Sequence, residues 1–160
     1  MRHAEAEEAK SGTDEARALT LHGRERTRDA AGGLRALGLR FDTILSSPLR
    51  RAAETAELVA DAYAKDPPPQ VLPALSPDVS PREALTALAP FAHHGEVLVV
   101  GHEPQISGLA GLLLTSSGAV EIRFKKGACV ALDVPNAIKP GVAGLRWMLT
   151  QRQLRKLRKR

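Results

Sequence analysis

The residues of this chain that could do chemistry are two histidines and two arginines, each close to the end of an apolar run. Arg2 and His3 open the sequence. Arg50 lies in the stretch SSPLRRAAETA, which follows a short apolar run. His102 lies in VLVVGHEP, directly after the most apolar run of the chain. Together these residues suit a phosphate-transfer site that works without a metal.

Each residue type has a physical reason to belong to such a site. A phosphate dianion needs cations of fixed geometry, and arginine supplies a planar fork of donors that stays charged. We therefore predict that Arg2 and Arg50 bind the phosphate, with backbone N–H groups at the start of the following helix. A neutral imidazole attacks phosphorus if its other nitrogen is held by an acceptor, which suits His3. His102 would stabilise the transferring oxygens.

The same residues also have ordinary structural interpretations. A lone histidine at a strand end, such as His3 or His102, is commonly solvated or hydrogen-bonded to nearby backbone. Arg50 and Arg51, taken alone, would form the solvated face of a helix. The catalytic interpretation holds over the structural one only if these residues lie close together in the folded protein.

The predicted elements would bring them together. Helices are predicted at about 20–37, 49–63, 82–91 and 105–114, and strands at 41–46, 71–72 and 96–100. This alternation predicts an α/β sheet with helices on both faces. Further strands at 120–124, 128–134 and 144–149, then a basic helix at 151–160, predict an antiparallel C-terminal extension. Sites in such sheets form at the carboxyl ends of strands, where His3, Ser46 to Arg50 and His102 all fall.

The strand that should carry Arg2 and His3 is almost absent from the sequence. A strand of about five residues needs apolar positions before Arg2, and only Met1 is present. Either the strand is truncated or the gene start has been placed too late, and we favour the second explanation.

Composition limits the class of protein. With 160 residues, 43% of them hydrophobic, the chain suits one domain spanning 1–160. The single cysteine, Cys129, excludes an intramolecular disulfide and favours a reducing compartment. No apolar run is long enough for a membrane span or a signal peptide, so we expect a cytoplasmic protein. His93 and His94 lack a spaced cluster of further ligands, and we expect neither a metal nor a cofactor.

The net charge of +5 is concentrated at the C-terminus. Residues 151–160 hold six Lys or Arg and no acid, so the remaining 17 basic and 18 acidic residues nearly balance. A basic tail could associate with nucleic acid or with an acidic protein. No aromatic platform or base-reading motif accompanies it, which argues against a nucleic-acid partner.

The motifs carry a family resemblance. Their order and spacing resemble those of the histidine phosphatase superfamily, and more closely its small SixA-type phosphohistidine phosphatases. The matching stretches, which span nearly the whole chain, are Arg2-His3-Ala4-Glu5, Arg17-Ala18-Leu19-Thr20 with Gly23, Ser46 to Ala52 with Glu54-Thr55-Ala56, Val100 to Pro104, and Trp147 to Thr150 before the basic helix.

The resemblance implies a three-layer, phosphoglycerate-mutase-like fold and assigns roles to residues. His3 would be phosphorylated transiently, Arg2 and Arg50 would bind the phosphate, and His102 would complete the pocket. Relatives that act on alcohol phosphates also have an acidic proton donor, for which Glu103 and Asp78 are candidates. Phosphohistidine needs less help, because its P–N bond is labile.

Three functions remain open at this point. The first is dephosphorylation of phosphohistidine in a protein partner, which an open pocket in a short chain favours. The second is hydrolysis of small-molecule phosphate esters. The third is a non-catalytic binding module that uses its basic tail. The sequence leaves the oligomeric state undetermined.

Overall fold

The structure is a computed structural model that describes residues 1–8, 13–64, 66–135 and 137–158. Its helices are α1 (Leu21–Ala36), α2 (Arg50–Asp61), α3 (Pro81–Leu88), α4 (Gln105–Leu114) and α5 (Gln151–Leu157). Its strands are β1 (Thr43–Ser46), β2 (Gln70–Val71), β3 (Val97–Val100), β4 (Cys129–Asp133) and β5 (Gly144–Leu149). Short 3-10 turns lie at Asp14–Ala16, Pro73–Leu75 and Ala89–Phe91.

The strands form a parallel sheet and a smaller antiparallel one. In the parallel sheet the order is β2-β1-β3, and β4 pairs with β5 in the antiparallel sheet. Helices cover both faces of the parallel sheet, so the predicted α/β/α architecture with an antiparallel C-terminal extension is confirmed.

Alternation along β1 explains the two layers of core. Successive side chains of a strand point to opposite faces. Ile44 packs in the cluster that includes α1, α2 and α5, whereas Leu45 packs in the cluster that includes α3 and α4. Both side chains are buried, which fixes the register of the strand.

Local signals set most helix boundaries. The Thr20 side chain accepts a hydrogen bond from Gly23 N at 2.9 Å and caps α1. Gly38, with a φ of +80°, follows the end of the same helix. Capping boxes begin α3 at Ser80 and α5 at Thr150. Pro48 lies directly before Leu49, the N-cap of α2.

One predicted strand is absent. Residues 121–124 alternate in burial, but no strand forms over 120–124. Side chains satisfy its backbone instead: Phe124 N donates to Glu103 Oε1, Arg2 Nη1 donates to Phe124 O, and Ser107 Oγ donates to Ile122 O. These contacts come from residues distant in the sequence, and periodicity alone does not reveal them.

The first three residues extend the parallel sheet beyond β3. Met1 N donates to Val99 O at 2.7 Å, and His3 N donates to Gly101 O at 3.0 Å. On the other side Arg2 N donates to Ala128 O at 3.0 Å, just before β4. A cavity of about 660 Å³ opens beyond Met1, lined by apolar side chains of both β3 and β4.

Candidate active site

His3 lies where the short N-terminal strand ends. Backbone hydrogen bonds fix it on both sides, from His3 N to Gly101 O and from Gly127 N to His3 O. Its ring nitrogen Nδ1 is 2.7 Å from Ala4 O. Because a carbonyl oxygen only accepts, Nδ1 carries the hydrogen, and Nε2 of the neutral ring keeps its lone pair. The side chain has the tautomer that a nucleophile needs.

His102 lies after β3, in the turn that leads into α4. Its ring centroid is 5.0 Å from that of His3, so the two histidines meet as the strand-end argument predicted. His102 Nε2 is 2.8 Å from Ser47 Oγ. Ser47 Oγ also accepts a hydrogen bond from Leu49 N at 3.2 Å. The loop after β1 therefore orients the second histidine.

Both imidazoles are neutral at physiological pH. Burial lowers the pKa of His3 from 6.5 to about 4, and the nearby positive charges of Arg51 and Arg2 contribute to the shift. Burial is also the main cause that lowers the pKa of His102 to about 3. A neutral His3 is the form that can attack phosphorus.

The two arginines at the start of α2 have different surroundings. The Arg50 side chain is 58% exposed, and its Nε donates to Glu54 Oε1 at 2.9 Å. The Arg51 side chain is 6% exposed and donates to Asp14 through both terminal nitrogens. Arg51, and not Arg50, contributes to the lowered pKa of both histidines. The structure thus places the neighbour of the predicted arginine beside the histidines.

Buried polar atoms without a hydrogen-bond partner among the described residues occur in His102 and in the two arginines whose charges act on both rings. Within the described part of the chain, seven buried side-chain polar atoms have no hydrogen-bond partner, and three of them are Arg2 Nε, Arg51 Nε and His102 Nδ1. Buried polar atoms are usually paired, and each exception requires an explanation. All three belong to residues that are adjacent to His3 or influence its charge state. Their donors would be satisfied by an anion bound at this position.

The two candidate proton donors are placed differently. Glu103 Oε1 accepts a hydrogen bond from Phe124 N, and Glu103 Oε2 lies 2.5 Å from Ser107 Oγ, whose single hydrogen is shared with Ile122 O. Glu103 therefore connects the start of α4 to the segment before β4. Asp78 is exposed in the loop between β2 and α3.

Three residues that shape the site were given no individual role from the sequence, although all three lie in stretches that carry the family resemblance. Ser47 is hydrogen-bonded to His102, and the charge of Arg51 acts on both histidines. Thr55 Oγ1 accepts a hydrogen bond from Ala4 N at 3.1 Å. Helical periodicity could have identified Arg51, since the residue lies one turn before Thr55 on the face of α2 that carries Ala52 and Ala56. That face is buried, and it carries Arg51 toward the sheet.

Comparison with known proteins identifies the family. Residues 1–76 match the model of the histidine phosphatase superfamily (branch 1). An uncharacterized protein of Picosynechococcus sp. is 35% identical over 129 residues, which cover 79% of this chain and 78% of that protein. The chain belongs to the histidine phosphatase superfamily.

Solved structures of phosphatases share the whole fold, which is phosphoglycerate-mutase-like. The protein histidine phosphatase SixA, complexed with tungstate, superimposes with a TM-score of 0.85 at 26% identity and covers 96% of each chain. The alpha-ribazole phosphatase from Shigella flexneri has a TM-score of 0.75 at 20% identity, covering 94% of this chain and 95% of that one. This histidine phosphatase is thus of the SixA type.

Two further observations concern ligands and membranes. Among the described residues, no group of three or more His, Cys, Asp and Glu side chains is arranged to hold a metal ion. No helix in the described ranges is long and apolar enough to cross a membrane.

Proposed function

We propose that this histidine phosphatase forms a phosphohistidine intermediate on His3, needs no metal, and dephosphorylates phosphohistidine in a protein. The observation that carries the proposal is the group of three unsatisfied buried donors around a histidine whose Nε2 is unprotonated. Donors held in place before a charged group arrives stabilise it without reorganisation.

The first step transfers the phosphoryl group. His3 Nε2 attacks phosphorus, a new N–P bond forms, and the bond to the leaving group breaks. When the substrate is phosphohistidine, the leaving imidazole takes up a proton from solvent or from a nearby acid. Water then attacks the phosphoryl group on His3, which releases inorganic phosphate and regenerates the neutral ring.

Positive charge for this step comes from arginine. Arg2 and Arg51 each hold a buried Nε without a partner in the described residues, and each has a charge that acts on His3. We assign the phosphate to these two residues, with Arg51 in the role that the sequence analysis gave to Arg50.

His102 would bind a phosphate oxygen through Nδ1. Ser47 Oγ accepts the N–H of Leu49, and its own hydrogen can then be donated to His102 Nε2. In this arrangement Nδ1 carries the single N–H hydrogen of the neutral ring and donates it to no other described residue. Ser47 would thereby select the tautomer of His102 that donates to phosphate.

The identity of the leaving group separates two substrate classes. Similarity to the protein histidine phosphatase SixA supports a phosphohistidine substrate, and similarity to an alpha-ribazole phosphatase supports a small phosphate ester. Phosphohistidine makes little demand on a proton donor. An ester would require one, and Glu103 or Asp78 would have to supply the proton. A side-by-side assay on a phosphohistidine protein and on sugar phosphates decides between the classes.

The intermediate can be trapped directly. Brief incubation with a radiolabelled phosphohistidine protein should label the enzyme, and the label should be acid-labile and base-stable, as a phosphohistidine is. His3→Ala should abolish labelling and turnover while leaving the circular dichroism spectrum unchanged. EDTA should leave the rate unchanged. An acid-stable label, a label on Ser46 or Ser47, or loss of activity that added divalent ion restores would each contradict the mechanism.

A further inference from the structure

Asp14 makes an unusual set of contacts with the arginine beside the histidines. It begins the 3-10 turn Asp14–Ala16, in the segment between the N-terminal strand and α1. Its backbone oxygen accepts from Arg51 Nη1 at 2.7 Å, and its Oδ2 accepts from Arg51 Nη2 at 2.8 Å. Its other carboxylate oxygen accepts from Arg17 Nη1 at 2.7 Å. One residue therefore holds both terminal nitrogens of Arg51.

Because a guanidinium has two donor edges, the contact with Asp14 leaves one edge of Arg51 for a phosphate. The group presents paired donors on two edges, one formed by the two terminal nitrogens and one formed by Nε with Nη2. Asp14 occupies the first edge. Nε, on the second edge, is buried and has no partner in the described part of the chain. A phosphate can then be bound through the second edge by two parallel hydrogen bonds.

We propose that Asp14 is a positioning residue, which fixes the guanidinium of Arg51 so that its Nε edge binds the phosphoryl group beside His3. This inference rests on the proposed function, and it adds a residue that does not touch the substrate. Arg17 supports the arrangement, because it holds the opposite oxygen of the Asp14 carboxylate and donates from its Nε to Glu7 O.

The charge of Asp14 separates this role from that of a proton donor. Hydrogen bonds from Arg17 and Arg51 lower the pKa of the Asp14 carboxyl, so the group is ionised at neutral pH and has no proton to give. An ionised carboxylate near a phosphate dianion also repels it. For Asp14 to favour phosphate binding, the affinity gained by fixing Arg51 has to exceed the affinity lost through this repulsion.

Tungstate, a tetrahedral oxyanion, tests the proposal on the free protein. Asp14→Ala should weaken tungstate binding about tenfold, because one charge-assisted hydrogen bond no longer holds Arg51. Asp14→Asn should restore wild-type or tighter binding, because the amide oxygen still accepts from Arg51 and the repulsion is gone. Glu15→Ala, which removes an exposed carboxylate from the same turn, should bind as the wild type does.

A double-mutant cycle isolates the path through Arg51. The effect of Asp14→Ala on tungstate affinity should vanish in an Arg51→Gln background. Unchanged affinity in a folded Asp14→Ala protein would overturn the proposal. Tighter tungstate binding in both Asp14 variants would mean that Asp14 weakens anion binding by charge repulsion, and it would also overturn the proposal.

Turnover gives an independent readout. Asp14→Ala should lower kcat for phosphohistidine and for esters alike, and Asp14→Asn should rescue both. If kcat falls in both variants, and falls more for a more basic leaving group, Asp14 would be a proton donor instead. A wild-type protein that binds no tungstate would refute the phosphate site itself, whereas normal wild-type binding that is indifferent to Asp14 would refute only the positioning role.

Discussion

Arg50 and Arg51 are adjacent in sequence, yet only Arg51 lies beside the two histidines. Arg50 is on the solvent side of α2, where its exposed side chain forms an ion pair with the largely buried Glu54. Arg51 is buried, and its charge is one of the causes that lower the pKa of both His3 and His102. The difference arises because adjacent residues of a helix point in different directions around the helix axis.

This difference gives a prediction with a built-in control. Arg51→Gln should lower kcat/KM on the order of 100- to 1,000-fold, because a fixed donor to the transferring phosphoryl group is lost. Arg51→Lys should rescue only part of it, since a lysine keeps the charge and loses the planar fork. Arg50→Gln should stay within about threefold of the wild type, as surface substitutions usually do. Steady-state kinetics on folded variants measure all three, and a larger effect at Arg50 than at Arg51 would reverse the assignment.

At the residue scale, the sequence predicts that histidines and arginines form the site, but it does not decide which of two neighbouring arginines takes part. His3 and His102 meet because each follows an apolar strand, and the ends of parallel strands lie at one edge of a sheet. Two neighbouring arginines in the first turn of a helix cannot be separated by that argument. Only the periodicity of the buried face of α2 separates them. Asp14 has no sequence signal, because its contact with Arg51 joins residues 37 positions apart.

The elements of the fold follow the local pattern closely where capping and periodicity agree. The predicted 105–114 helix and 144–149 strand have the observed bounds of α4 and β5. The prediction of a strand at 120–124 is wrong, because the side chains of Arg2, Glu103 and Ser107 bind its backbone. Long-range polar contacts of this kind are decided by the tertiary structure.

The N-terminal strand leaves a gap in the sheet. The cavity of about 660 Å³ lies between β3 and β4, and the hydrogen bonds of Met1 and Arg2 already continue both strands toward it. The ammonium group of Met1 is buried, and burial lowers its pKa. A peptide N–H in the same place would keep the hydrogen bond to Val99 O without a buried charge.

An extension of the N-terminus tests the shape of this gap. About five residues of Val, Ile and Leu before Met1 should form a strand between β3 and β4. Burying their side chains should raise Tm on the order of 10 °C. A Gly/Ser extension of equal length should not, because it buries little apolar surface. Differential scanning calorimetry of the two proteins measures the effect, and equal Tm values would show that the gap does not accept a strand.

At the scale of the whole molecule, the two buried histidines of the site lower the free energy of unfolding at acidic pH. His3 and His102 are both buried and neutral, with pKa values of about 4 and about 3, against 6.5 for an unperturbed histidine. Between pH 6.5 and pH 4 the unfolded chain therefore binds protons at both positions and the folded chain binds few. The free energy of unfolding rises with pH wherever the unfolded state binds more protons. The stability associated with the neutral rings is complete above pH 6.5 and is lost as the pH falls.

We therefore expect the active site to set the acid limit of the fold. Lowering the pH from 8 to 4.5 should decrease the free energy of unfolding by on the order of 2 kcal/mol through His3 alone. Urea titrations across this range measure the decrease. The double variant His3→Asn, His102→Gln keeps a polar atom near each bonded ring nitrogen but cannot be protonated, so its stability should depend less on pH above pH 4.5. An equal slope in both proteins would mean that other groups cause the acid sensitivity. A shallower slope in the double variant would show that the arrangement that keeps His3 neutral for attack on phosphorus also destabilises the protein in acid.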